Sequence, residues 1–338
     1  MMKLLYINKN INLSQPIIAQ LNKMGFEVDV LIESLPKPSD RFSVFDRFFN
    51  IFSRVILKDK FYFLNKEKKR FQAYAEKKLK KKTYDYALFM RADMYPASLI
   101  RKVRKQSRMM VNYQWDGLDM YPGIFDFIPF FDRFFVFDSF DIQKYPQYHF
   151  LPLTNFHYNE NHVKTDTKFD FFYVGVGLEE RIRWTHNLKK FCDENGLKLK
   201  AIMTIPDFRE EKITDSVSLQ HNGISLKEND AYASNAKTVI DYKLKNHNGA
   251  SFRVFECMAR EQKLISNNPN LKDYDFYHPD NIFFTDFEDF TGLGEFLEKP
   301  YHKLDQKIVE KYSIGNWLKY ALDFGEYEPI DLPLWKSS

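Results

Sequence analysis

Short apolar runs, each followed by a polar turn and then a stretch with apolar positions at helical spacing, recur along this chain. Residues 3–7 (KLLYI) read as a buried strand, residues 16–24 as a helix stopped by Gly25, and residues 27–32 as a second strand. Residues 84–90 (YDYALFM) give another buried strand, 97–105 a helix, and 109–113 and 134–137 two further strands. The rhythm resumes at 169–174, a continuous apolar strand, with a tight turn at 175–177 and a helix over 179–194 stopped by Gly196. Strands at 199–204, 238–242 and 264–265 follow. Between the last two lies a helix with Ser251 as its N-cap and Phe252, Phe255, Met258 and Ala259 at helical spacing. Strands alternating with helices predict an α/β fold with parallel sheets.

A length of 338 residues suits two domains. The polar, poorly patterned stretch 155–168 reads as the connector. The expected organisation is a Rossmann-like domain over 1–155, a second over 168–310, and a terminal segment, 311–338. Residues 309–324, with Trp317, are helical in pattern.

Composition changes the picture at one place. The net charge is only +4, but residues 41–110 hold 20 Lys and Arg against 6 Asp and Glu. Within 41–82, phenylalanines at 42, 45, 48, 49 and 52 interleave with arginines, and a lysine-dense helix follows. The segment reads either as an insertion facing an anionic membrane or a lipid-linked acceptor, or as core aromatics with a solvated lysine face. No nucleic-acid motif accompanies the charge, and nucleic acid is not an expected partner. Two cysteines, Cys192 and Cys257, make no disulfide framework and fit a reducing cytoplasm. No run approaches the ~18 apolar residues of a membrane span.

Candidate chemistry clusters at predicted strand ends. Asp93 and Asp116 each follow a strand, where open α/β sheets collect ligands. Either could deprotonate an acceptor hydroxyl, or could simply form a cap or turn. Arg253 and Glu256 lie three residues apart at the start of the helix after Ser251, behind a loop containing Asn248 and Gly249. A helix N-terminus with an arginine suits a diphosphate, and Glu256 could accept from ribose hydroxyls. The same spacing also fits an ordinary solvated pair extended to Arg260. No H-x-x-x-H, C-x-x-C, G-x-x-x-x-G-K-[ST] or G-x-S-x-G pattern occurs, so zinc, P-loop and serine-hydrolase chemistry have no sequence support.

The string NGASFRVFECMA, followed by KLISNNPNLKDYDFYHPDNIFF, resembles the donor-binding half of bacterial GT-B glycosyltransferases of lipopolysaccharide and capsule biosynthesis. The matching residues are Gly249, Ser251, Arg253, Glu256, Ser266, Asn267, Asp275, Phe276, Tyr277, Asn281 and Ile282. The detailed likeness covers residues 237–286, and the bulky pair Arg260–Glu261 departs from it. The resemblance implies two Rossmann-like domains facing each other across a cleft, with a C-terminal helix crossing back to the first. It implies a metal-independent transferase without cofactor, taking a nucleotide sugar, expected to be a UDP-sugar, in the second domain and a glycan or glycolipid acceptor in the first. On this likeness Gly175, Arg181 and Asp241 join Asn248, Gly249, Ser251, Arg253 and Glu256 as donor-site residues. Asp273-Tyr274-Asp275 is read as part of a turn rather than a metal motif. An inverting reaction would use Asp93 or Asp116 as base; a retaining one needs no such group. The implied location is the cytoplasm or the inner face of its membrane. The alternative is a non-catalytic glycan-binding or scaffold protein of the same fold.

Overall fold

The structure is a computed structural model, described here for residues 1–8, 11–32, 62–158, 167–207, 209–243 and 248–333. Residues 41–61 of the basic–aromatic segment therefore lie outside the described residues. The chain divides into two compact units: Met1–Phe137, Asp141–Leu153 and Ala321–Gly325 form the first, and Asp138–Phe140, Thr154–Tyr320 and Glu326–Ser338 the second.

The first unit is built on six strands: β1 (Lys3–Ile7), β2 (Glu27–Leu31), β3 (Tyr84–Met90), β4 (Ser107–Gln114), β5 (Arg133–Val136) and β6 (Leu151–Pro152). They pair in the order β2-β1-β3-β4-β5-β6, all parallel. Leu4, Leu5, Tyr6 and Ile7 are all buried, as expected of a strand covered on both faces. The connecting helices are α1 (Ile11–Lys23), α2 (Tyr62–Lys78), α3 (Ala97–Gln106) and the short α4 (Ser139–Lys144). The expected start of α1 at residue 16 is corrected: the helix begins at Ile11 and continues through Pro16, which forgoes one intrahelical donor.

The second unit repeats the plan with β7 (Phe169–Val176), β8 (Leu199–Thr204), β9 (Val217–Gln220), β10 (Ala236–Asp241), β11 (Lys263–Ser266) and β12 (Ile282–Phe284). Their order is β12-β11-β10-β7-β8-β9, again all parallel. Its helices are α5 (Glu179–Glu194), α6 (Leu226–Ser234), α7 (Phe252–Ala259), α8 (Leu293–Glu298), α9 (Gln306–Lys311) and α10 (Ile314–Leu322). From β7 the chain steps through β8 and β9 to one side, then returns through β10 to the other. The carboxyl ends of β7 and β10 are therefore the topological switch point, where such sheets bind ligands.

Three expectations change. Residues 175–177 are not a tight turn throughout, because β7 runs to Val176. The predicted helix 309–324 is two helices, since the His157 carbonyl accepts from Ile314 N (3.0 Å) while His157 N donates to Tyr312 O (3.1 Å), opening the chain at Tyr312–Ser313. The same contacts remove residues 155–157 from the expected connector. Phe156 is fully buried against Trp317 and Phe252, and Trp317 Nε1 donates to Thr154 O at 2.8 Å.

Candidate functional site

Arg253 occupies the switch point of the second sheet. Its Nη1 donates to Asp241 Oδ1 (3.2 Å) at the end of β10, and its Nη2 donates to the Val174 carbonyl (2.6 Å) near the end of β7. Its guanidinium lies 5.3 Å from the centroid of the Tyr173 ring. Asp241 is almost fully buried, yet three side chains share it: Ser251 Oγ donates to Oδ1 (2.8 Å) and Ser266 Oγ to Oδ2 (3.3 Å), alongside Arg253. Ser251 is the N-cap of α7 as the sequence predicts, but its hydroxyl turns to Asp241 and caps no backbone N–H. The first turn of α7 thus keeps its N–H groups uncapped by that side chain, the arrangement that attracts an anion.

Arg181, on the first turns of α5, reaches the same spot. Its Nη2 donates to the Tyr242 carbonyl at 3.0 Å. Burial pushes the Tyr173 phenol up, and the charges of Arg253 and Arg181 both oppose that shift. Gly175 and Gly177 stand where a side chain has no room. A Cβ at 175 would collide with the Tyr173 hydroxyl, and one at 177 would come within 2.9 Å of Ile205 Cγ2. Asp241 opposes Arg181 and Arg253 here, and Glu256, one turn further along α7, also feels Arg253.

Glu256 lies one turn into α7 and is only 17% exposed. It faces Arg260 Nη1 at 3.8 Å, and Arg260 is held more closely by Asp230 (2.6 Å). Burial pushes its carboxyl up, with Arg260 and Arg253 pulling the other way. Asn248 and Gly249 belong to a loop whose shape is set by distant side chains. Asp138 accepts from both Asn248 N (3.0 Å) and Asn248 Nδ2 (3.2 Å), Asn155 Nδ2 donates to Ala250 O (3.0 Å), and Asn268 Nδ2 lies 3.4 Å from the Gly249 carbonyl. Tyr173, the Val174 carbonyl and Asp138 went unread in the sequence. A carbonyl has no sequence signature, and Asp138 lies 110 residues from its partner.

Of the resembling residues outside this corner, Asn281 ties the chain to His302 through paired bonds of 2.8 Å. Asp275 accepts from the Tyr312 hydroxyl (2.6 Å) and Lys311 Nζ (2.9 Å). Among the described residues no group of three or more His, Cys, Asp or Glu side chains could hold a metal ion.

In the first unit the structure brings Asp93 and Asp116 together through Arg91, which has left-handed backbone (φ 60°, ψ 81°) just after β3. The guanidinium forks onto Asp93 (Nε–Oδ1 3.1 Å, Nη2–Oδ2 2.7 Å), pairs with Asp116 through Nη1, and stacks 4.0 Å from the Tyr121 ring. Gln114 Nε2 adds a bond to Asp93 Oδ1 (2.8 Å). Burial disfavours the Arg91 charge, but the two aspartates outweigh it and its pKa is raised. A residue strained into this region, fixed by ionic partners at strand ends, is a common mark of a functional corner.

No protein-family model matches this sequence, and no curated protein is detectably similar to it. Solved structures do match. A UDP-GlcNAc 2-epimerase from Neisseria meningitidis bound to UDP-GlcNAc superposes with a TM-score of 0.55 at 8% identity, covering 95% of this chain and 99% of that one. A Staphylococcus aureus protein solved with UDP (MnaA) gives 0.52 at 12% identity, covering 98% and 100%. The Methanocaldococcus jannaschii UDP-GlcNAc 2-epimerase in complex with UDP-GlcNAc and UDP gives 0.50 at 12%, covering 92% and 98%. At such identities the likeness defines the fold. It is GT-B: α/β, with two parallel six-stranded sheets and their helices.

Proposed function

We propose that the protein is a GT-B enzyme that binds a nucleotide sugar, expected to be a UDP-sugar, in its second unit, and transfers the sugar to a glycan or glycolipid acceptor without a metal. The observation that carries this reading is Arg253 bridging the ends of β10 and β7 at the switch point, beside Arg181 and an uncapped helix N-terminus. Without a divalent ion, a departing diphosphate needs fixed positive charge and aimed N–H donors, which this corner supplies. Glu256 would hold the ribose, and Asp93 or Asp116 would serve an acceptor hydroxyl. Assembly of lipopolysaccharide or capsule is the setting that the residue-level resemblance favours.

A second reading has its own support. The similar structures described above include UDP-GlcNAc 2-epimerases bound to UDP-GlcNAc, and an epimerase would use the same donor corner while returning the sugar to the nucleotide. The deciding experiment has two stages. Thermal unfolding is measured with UDP, GDP, CMP, ADP and dTDP, with and without EDTA; a ligand bound only by the folded state raises the midpoint. The UDP-sugars are then incubated with the protein, with and without a glycan or glycolipid acceptor, and followed by NMR. Free UDP together with a new glycosidic linkage, seen only with the acceptor, supports transfer. A new UDP-sugar epimer without acceptor supports epimerisation, and free UDP with free sugar reports hydrolysis. A midpoint that moves with none of the nucleotides overturns both readings and favours the non-catalytic alternative.

A further inference from the structure

Helices α2 and α3 lie side by side on one face of the first sheet. α2 buries Phe71 and Ala75, and α3 buries Leu99, Ile100 and Val103. The Ser98 hydroxyl donates to Gln72 Oε1 (2.8 Å), Gln106 Nε2 donates to the carbonyls of Leu79 (2.9 Å) and Lys82 (2.8 Å), and the Phe71 and Tyr95 rings meet at 5.1 Å. These contacts set the two helices parallel. Their opposite sides face solvent. Over residues 69–83 and 97–108 ten Lys and Arg are exposed against a single exposed acid, Glu76. Lys69, Arg70, Lys77, Lys78, Arg101 and Lys105 lie on the helices, and Lys80, Lys81, Lys82 and Arg108 in the segments that follow them, with Lys82 paired to Asp29 (2.8 Å).

We propose that this two-helix face docks the protein electrostatically on a bilayer rich in anionic lipid. Charge complementarity identifies the occupant, and the kind of charge narrows it. Lysines are strongly hydrated point charges suited to a diffuse negative surface, whereas specific phosphate recognition favours arginine forks. Of the rings in these stretches, Phe71 is buried, and the half-buried Tyr74 has Lys78 Nζ 5.5 Å from its centroid and its hydroxyl donating to the Ile32 carbonyl (3.3 Å), so the described face offers a nucleobase little to stack on. The exposed apolar side chain within these stretches is Ala73, too small to anchor in the acyl layer. The contact is therefore ionic and reversible by salt. It takes in Arg101 and Lys105 on α3, beyond the basic–aromatic stretch 41–82, and it is independent of the nucleotide site.

The test is co-sedimentation of the full chain with phosphatidylcholine vesicles and with vesicles containing about 30 mol% phosphatidylglycerol, at about 0.1 M and 0.5 M NaCl. Binding is expected to the anionic vesicles alone and at the lower salt alone. Lys77→Glu/Lys80→Glu/Lys81→Glu should weaken it about 100-fold and Arg101→Glu/Lys105→Glu about 30-fold, with unchanged thermal midpoints. Lys189→Glu/Lys190→Glu on α5 should bind as the parent does. Equal partition onto both vesicle types, binding that persists at the higher salt, or full retention by the α3 variant overturns the proposal. So does an oligonucleotide that strips the protein from the vesicles at equal phosphate concentration, which would assign the face to nucleic acid. Should a variant unfold, the salt series on the unaltered chain still decides.

Discussion

Arg253 and Asp241 form the joint between the two central strands of the second sheet. The pair is 3.2 Å apart, with the aspartate nearly buried and the arginine 23% exposed. The two partners have separable duties: Asp241 holds, and Arg253 both holds and faces outward.

That division gives the first expectation. Asp241→Asn keeps an acceptor for Ser251 but loses the charge-assisted bond, and should cost about 2 kcal/mol of stability while leaving UDP binding measurable. Arg253→Ala should weaken UDP and inorganic pyrophosphate alike, by about 10- to 100-fold if one charged contact is lost. Glu256→Ala should weaken UDP while sparing pyrophosphate. Calorimetric titration of both ligands against the three variants checks the assignment, and pyrophosphate affinity unchanged in Arg253→Ala would sink it.

The closeness of Gly175 to the Tyr173 hydroxyl gives a second. Gly175→Ala should destabilise by about 1–3 kcal/mol through overpacking. Tyr173→Phe removes the oxygen that the new methyl meets, so the double variant should regain part of the loss. A thermal or denaturant double-mutant cycle reads this directly, and strict additivity would mean that the clash lies elsewhere.

Glu256 sets a pH dependence. Its folded-state pKa is raised, so the folded chain holds that proton more tightly than the unfolded chain does. Its contribution is fully present below the ordinary glutamate pKa and is lost as pH rises through the raised value. Glu256→Gln should therefore unfold at a higher temperature than the parent near neutral pH, with the gap closing as the pH is lowered past the glutamate range. The same variant should bind UDP less well, an exchange of stability against function. Unfolding midpoints of parent and variant across pH supply the check.

In the first unit, Arg91→Met would leave Asp93 and Asp116 side by side without their cation, and should cost about 3 kcal/mol near neutral pH. Asp116→Asn should be mild for stability, because Asp116 is more exposed than Asp93 (19% against 9%). If Asp116 is the base, that variant should lower turnover by about 10²- to 10⁴-fold with UDP affinity intact. Steady-state rates together with UDP titration separate the two effects.

Much of the architecture was legible because it rests on local pattern. The bounds of β3, α5 and β8 follow from continuous apolar runs, helical spacing and a stop glycine. β9 and α6 were missed. β9 is a four-residue edge strand with two polar residues, while α6 carried a readable signal, the capping box of Ser225 and Glu228. The break between α9 and α10 was invisible because His157, far back in the chain, makes it. The site shows the same divide. Arg253, Asp241 and Gly175 stand at strand ends and helix starts that pattern reveals. What Arg253 grips depends on a strand register that only pairing of β7 with β10 establishes.

The loop of Asn248–Ala250 belongs to neither strand nor helix, and its geometry is dictated by Asp138, Asn155 and Asn268. It should therefore be among the last parts of the second unit to acquire its shape. Closing a contact across 110 residues carries a loop-closure entropy that the contacts of the surrounding core help to offset. A refolding chain should recover its sheet signal before it can hold a nucleotide, so that ligand capture marks the end of folding rather than its middle.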